Sequence, residues 1–304
     1  MCSRTQLDSL FPAVWRATTI GGLTYAYVDE GVGHPVVLVH GNPTWSFHFR
    51  SLVDRLPAAG YRVVAPDHIG MGRSAKPTRT GYPHTLARRV ADFTEFMAAV
   101  VPDGPVTLVV HDWGGSIALT WAVAHPDRIA RLVLLNTAAF PLPAGKGLPL
   151  ALRATRTPLG ALAVLYGNAF AVGAALLGAR RRLPAPVRRG YLAPYDRPSR
   201  RVAVLEFVRD IPVRTGDPAY AVLRDTEQRL AVFRNRPVLI CWGMRDFVLD
   251  ADILRRWLEI FPAADVHRFA DAGHYVMEDA TEAVGDLVVE LLARPSSAAP
   301  AGAR

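Results

Sequence analysis

The sequence predicts an α/β fold, a mostly parallel central sheet with helices on both faces and one inserted helical cap. Three observations lead there. Short apolar, β-branched runs alternate with helical patterns; the first of these runs stops at a glycine, as a buried parallel strand does before a functional loop; and one interval, 137–236, breaks the alternation. With 50% hydrophobic and 20% charged residues, a chain of 304 residues has the apolar material for such a core. Wholesale disorder and a small disulfide-stapled scaffold are excluded.

The first strand of the series is PVVLVH at 35–40, and the same grammar recurs at 61–65, 106–110, 132–135 and 237–242, with a last strand in the RFAD run. Helical patterns fill the intervals at 47–59, 85–101, 115–125 and 252–261. Strand and helix in turn imply right-handed crossovers, and in such sheets chemistry sits at the carboxyl ends of the strands. The hundred residues between the strand at 132–135 and that at 237–242 are too many for a plain crossover. Prolines at 141, 143, 149, 158, 184, 186, 194 and 198 cut this Ala-, Leu- and Arg-rich stretch into short helices. The expected division is a sheet body at 1–136 and 237–293, a cap at 137–236 and a low-complexity disordered tail at 294–304.

Within the cap, 157–179 carries no charge and is flanked by Arg156 and Arg180 to Arg182, which by length suits a membrane span. Pro158, four glycines and Asn168 argue against one, and a span here would sever the strands on either side. The stretch reads as cap helices lining an apolar pocket. Lys and Arg exceed Asp and Glu by 35 to 27, a net charge of +8, and much of the excess lies in LGARRRLPAPVRRGYLAPYDRPSRRV. No nucleic-acid motif accompanies it, so it reads as a solvated basic face. Together with the apolar stretch it allows peripheral contact with a membrane or a partner. The two cysteines, Cys2 and Cys241, make neither a disulfide framework nor a metal site, and MCSRTQLDSL has no apolar leader core, so a reducing cytoplasm is expected.

Chemistry concentrates at four turns. LVVHDWGGSIALTWAV reads as strand, sharp turn and helix, with Asp112 where a nucleophile elbow holds its reactive side chain. Gly114 and Gly115 supply the small residues that turn needs, although Val110 stands where glycine is usual. VVLVHGNPTW places Asn42 after an earlier strand, the position that contributes an oxyanion N–H alongside that of Trp113. CWGMRDFVLD ends a strand in acids and RFADAGHYVMED ends another in a histidine, so the order is nucleophile, acid, histidine: Asp112, Asp246, His274. Asp250 competes for the acid role but stands directly before the ADILRRW helix and is well explained as its N-cap, which favours Asp246. Asn136, at the end of the preceding strand, leaves the alternative acid position without a carboxylate. An aspartate nucleophile is already anionic and can displace a leaving group from saturated carbon to form an ester, on which a histidine held by an acid then acts. The side-chain N–H groups of Asn42 and Trp113 would stabilise the leaving group. The sequence offers no phosphate-binding glycine loop and no histidines at ligand spacing, so no redox or metal cofactor is expected.

HGNPTWSFHFR and HDWGG resemble the halide-binding and nucleophile motifs of the haloalkane dehalogenase branch of the α/β-hydrolase fold. LNTAAFPLP, RTPLGAL, YLAPYDRPSRR, FVRDIP, CWGMRDFVLD and HRFADAGHYVMED are more specifically similar to the cis-3-alkyl-4-alkyloxetan-2-one (β-lactone) decarboxylases of bacterial head-to-head olefin biosynthesis. The likeness runs from about 25 to 292 and through the cap. It implies an aspartate-dependent conversion of a cis-3,4-dialkyl β-lactone to a cis-alkene and carbon dioxide, with a hydrophobic small-molecule substrate and assembly with other enzymes of the olefin pathway. Attack by Asp112 at the lactone carbonyl, giving an anhydride-like species, and at the ring carbon bearing oxygen, giving an alkyl ester, both remain open. A haloalkane dehalogenase shares every residue named. The absence of tryptophan in 137–236 would leave it Trp113 and Asn42 as its halide pair. An epoxide hydrolase would need a cap tyrosine, for which Tyr166, Tyr191, Tyr195 and Tyr220 are available, and a non-catalytic binding relative would not need the intact set.

Overall fold

The computed structural model describes residue 7 and residues 9–143 and 145–294; Cys2 and the tail at 295–304 lie outside them. Eight strands form one sheet: β1 (Trp15–Ile20), β2 (Leu23–Glu30), β3 (Pro35–Val39), β4 (Arg62–Pro66), β5 (Val106–Asp112), β6 (Ile129–Thr137), β7 (Val238–Gly243) and β8 (Asp265–Phe269). Their order is β1-β2-β4-β3-β5-β6-β7-β8, antiparallel at β1–β2 and β2–β4 and parallel from β4 to β8. The expected parallel core is therefore present, with an antiparallel hairpin added at one edge.

Side-chain alternation along the strands divides the core into two layers. Val37, Val39, Leu108 and Val110 point to the face covered by α2 (Leu86–Val100) and α3 (Trp113–Ala124). Val36, Leu38, Val109 and Val133 point to the opposite face, covered by α1 (Arg50–Ala58) and the C-terminal α12 (Thr281–Ala293). Strands buried on both sides read as continuous apolar runs, which is why β3 to β7 were visible in the sequence.

Between β6 and β7 the chain forms α4 (Leu150–Thr155), α5 (Pro158–Gly167), α6 (Ala169–Leu177), α7 (Ala185–Leu192), α8 (Val202–Asp210) and α9 (Pro218–Arg229). Several of the breaks follow the prolines: Pro158 opens α5, and Pro184 stands directly before α7. Asn168, at φ 54°, ends α5 in the left-handed region and turns the chain by 77° into α6. No single helix among the described residues is long and apolar enough to cross a membrane. The last of the six, α9, leaves the others and packs on α3, where Thr226 Oγ1 meets Thr120 Oγ1 at 2.9 Å and Arg229 donates to the Val123 carbonyl at 2.7 Å. Two helices follow β7 and β8, α10 (Ala251–Ile260) and the short α11 (Val276–Asp279).

Contacts that tie the inserted helices to the sheet's active edge are polar and buried. Asp279 accepts the backbone N–H groups of Arg180, Arg181 and Gly273 at 2.8 to 2.9 Å. Arg50 forks onto Glu278 at 2.5 and 2.7 Å, and the Tyr191 hydroxyl donates to the same carboxylate. Bidentate pairing of this kind fixes orientation as well as distance.

Candidate active site

Asp112 is the last residue of β5 and stands directly before α3, at φ 51° and ψ −127°, a conformation costly for any residue with a side chain. The strain is held by packing that only glycine permits: a Cβ on Gly114 would lie 1.9 Å from the Val39 carbonyl oxygen, and one on Gly115 would lie 2.0 Å from Thr137 Oγ1. Val110 is accommodated as a buried strand residue, and a register shift between His111 and Asp112 lifts the elbow out of the ladder.

His274, in the turn after β8, lies with Nε2 3.1 Å from Asp112 Oδ2 and Nδ1 2.8 Å from Asp246 Oδ2. Carboxylates only accept, so both ring nitrogens donate and the ring is an imidazolium. Burial alone would lower the affinity of His274 for its proton; the Asp246 and Asp112 carboxylates outweigh that and push it up to about 10. Burial would raise Asp246, but the His274 cation and the backbone N–H groups of Val248 and Leu249, at 2.8 and 3.0 Å, hold it below the usual carboxylate range. Asp250 takes no part in this arrangement. It accepts the Asp252 N–H at the start of α10 and pairs with Lys146.

Three contributors were not found by sequence reasoning. Asn136, read there only as a missing carboxylate, donates from Nδ2 to Asp246 Oδ2 at 3.0 Å and to the Gly243 carbonyl, while its Oδ1 accepts the Gly243 N–H. His111 donates from Nε2 to the His274 carbonyl at 2.9 Å, and burial with the neighbouring His274 cation holds it down to about 4. The His48 ring lies tilted against His111 with centroids 4.3 Å apart and shares a hydrogen bond with the Tyr191 hydroxyl. The only available signal was the H-D dipeptide and the second histidine of HGNPTWSFHFR.

Asn42 and Trp113 both border the cavity beside Asp112. One Asn42 side-chain N–H is given to the Val204 carbonyl of α8 at 3.1 Å. The backbone N–H of Trp113, expected as an oxyanion donor, donates to Asp112 Oδ1. A carboxylate carries a second oxygen where a serine has none, and that oxygen reaches the donor. Each Asp112 oxygen thus receives one hydrogen bond.

Above the triad lies a cavity of about 420 Å³ walled by α4, α5, α6 and α8, with Phe140, Leu152, Val164, Phe170 and Val208 among its lining. The uncharged stretch at 157–179 supplies much of this wall. No tyrosine lines it among the described residues. Tyr166 is exposed, Tyr191 and Tyr195 are buried in other contacts, and Tyr220 borders a separate hollow.

Residues 34–281 match the α/β-hydrolase fold family, and the chain belongs to that family. Within it, the sequence is 44% identical over 280 residues, 91% of this chain and 88% of the relative, to a cis-3-alkyl-4-alkyloxetan-2-one decarboxylase of Shewanella oneidensis. Identity is 42% to the protein of the same name in Xanthomonas campestris pv. campestris, over 90% of this chain and 93% of that one. A haloalkane dehalogenase of Mycobacterium marinum is 36% identical over 90% of both chains. The crystal structure of the haloalkane dehalogenase DatA from Agrobacterium tumefaciens C58 superposes with a TM-score of 0.82 at 26% identity, covering 93% of this chain and 98% of that one.

Proposed function

We propose that the protein is a cis-3-alkyl-4-alkyloxetan-2-one decarboxylase that uses Asp112 as nucleophile, Asp246 and His274 as its partners, and Asn42 and Trp113 to stabilise leaving-group charge. The observation that carries this reading is whole-chain likeness to the two named decarboxylases, which at 44% and 42% exceeds the 36% to the dehalogenase and runs through the helices that wall the cavity. These helices, from α4 to α8, act as the cap.

Asp112 attacks the ring carbon bearing oxygen, and as its C–O bond forms the ring C–O bond breaks, releasing a carboxylate on the neighbouring carbon. Inversion at the attacked carbon sets the new ester oxygen anti to that carboxylate. The C–CO2 bond then breaks, its electron pair forms the C=C bond, and the ester C–O bond breaks to return Asp112; anti loss converts a cis-lactone to a cis-alkene. No water is consumed. Asn42 and Trp113, which line the cavity, receive the carboxylate as the ring opens, and Asp112 is held by the Trp113 N–H and the His274 cation when it leaves. The charge that leaves with the breaking C–CO2 bond returns to Asp112, where those two donors meet it, and this favours carbon dioxide loss.

An epoxide hydrolase would need a proton donor opposite Asp112, and the tyrosines stand elsewhere. The free, buried thiol of Cys241, raised to about 12 by burial, is compatible with a reducing cytoplasm. Incubation with a cis-dialkyl β-lactone and, separately, with 1,2-dibromoethane tests the reading: alkene and carbon dioxide without halide release are expected. Halide release without alkene would return the protein to the dehalogenases.

A further inference from the structure

Residues 137–195 hold eight cations and no carboxylate, a local charge equal to the net +8 of the whole chain. Among the described residues, Arg153, Arg180, Arg181 and Arg182 are exposed there without an ion-pair partner. Between them, α5 and α6 turn an apolar face outward. Leu159, Leu162 and Tyr166 follow helical spacing on α5, and Val172 and Leu176 do so on α6, with Leu159 77% and Tyr166 70% exposed. Contiguous apolar exposure with a basic rim is a contact surface, since a solvated helix places polar residues there.

The same face is where the substrate cavity opens. Ala151, Ala154, Ala163, Ala169 and Leu177 are exposed and also line the cavity that ends at Asp112. We propose that this face docks on an anionic lipid bilayer, the leucines and Tyr166 entering the headgroup boundary and the arginines meeting acidic headgroups, so that dialkyl substrate enters from the membrane and alkene returns to it. The inference rests on the decarboxylase reading for what passes through the opening, but docking itself does not. Charge complementarity selects the occupant: a basic rim around an apolar centre matches a negatively charged membrane surface. The 77° bend between α5 and α6 keeps both helices in the plane of the interface instead of across it.

Sedimentation of the full chain with phosphatidylcholine vesicles, with and without about one third phosphatidylglycerol, reads the docking without any turnover. Binding at least tenfold stronger to the anionic vesicles is expected, weakened by salt. Leu159→Ser/Leu162→Ser/Leu176→Ser and, separately, Arg180→Ala/Arg181→Ala/Arg182→Ala should each lose at least tenfold in partition; none of these six side chains lines the cavity. Turnover of a short-chain, water-soluble β-lactone without vesicles should be unchanged in both variants, which separates loss of docking from misfolding. Failure of that turnover in the parent protein would refute the decarboxylase reading and leave docking standing. No binding to anionic vesicles, binding unaffected by either set of substitutions, or a dimer in analytical ultracentrifugation that the leucine substitutions dissolve would overturn the proposal.

Discussion

At the residue scale the site turns on a histidine between two carboxylates. His274 meets Asp246 at 2.8 Å and Asp112 at 3.1 Å, and in the resting enzyme it is a cation. In the proposed reaction, esterification of Asp112 removes one of the two anions; when carbon dioxide leaves, the negative charge returns to Asp112 and the cation supports its departure. Asp112→Ala should therefore lower turnover by roughly 10⁴-fold or more with the circular dichroism spectrum unchanged. His274→Ala should slow it at least about 10²-fold and accumulate an Asp112 adduct of substrate mass. An unmodified intact mass after substrate exposure would remove the ester. The charge state has its own consequence. Because His274 is raised towards 10, alkene formation should stay level from pH 7 to pH 9 and decline as pH approaches 10. A profile that rises with an apparent pKa near 6.5 would mean that the neutral ring is the working form. Asp112, Asp246 and His274 could be named from local turns because each follows its own strand. Asn136 could not, since its bond to Asp246 exists only where β6 and β7 lie side by side, 110 positions apart in sequence.

At the element scale, what the sequence reveals depends on how each segment is buried. The runs at β3 to β7 are apolar on both faces and announce themselves. The β1–β2 hairpin was missed because β1 is an edge strand, half exposed and without a clean apolar run; its signal was Gly21-Gly22, both at positive φ between WRATTI and LTYAYVDE. The C-terminal α12 also went unnamed, although Val284, Val288 and Leu291 recur at helical spacing. Cap helices are more informative about function than either. Gly173 of α6 lines the cavity, and a Cβ there would meet no atom within 4 Å. Gly173→Leu should therefore fill cavity space without disturbing the helix, lowering kcat/KM for long-chain β-lactones about tenfold or more while short-chain substrates change by less than about threefold. Competition between lactones of two chain lengths measures the ratio directly. An unchanged ratio would place the alkyl chains elsewhere.

At the scale of the whole molecule, the fold buries histidines in numbers that carry a pH liability. His34, His40, His48, His68, His84 and His111 all have a lowered proton affinity with burial as the largest cause, and His84 and His111 reach about 4. An unfolded chain protonates these rings near the ordinary value of 6.5, while the folded chain does so only at lower pH. Between those values the unfolded state binds more protons, so the stability these groups contribute is complete above pH 6.5 and is lost as pH falls towards 4. His274 does not offset this, because its raised affinity contributes stability that is fully present below 6.5 and is lost progressively as pH rises from there through about 10. Asp92 and Asp210, raised by burial, act in the opposite direction, but they are two groups against six. Protonation also adds to a chain that already carries +8, and self-repulsion grows in the same window. The melting temperature should accordingly be highest near pH 7, ease downward towards pH 8 as the His274 contribution shrinks, and fall steeply between 6.5 and 4. His84→Gln, at a buried ring remote from the triad, should flatten part of that fall by removing one titrating group. A melting temperature that holds steady down to pH 4.5 would mean that the buried rings keep their ordinary affinity and that His48 and His111, beside His274, are charged in that range.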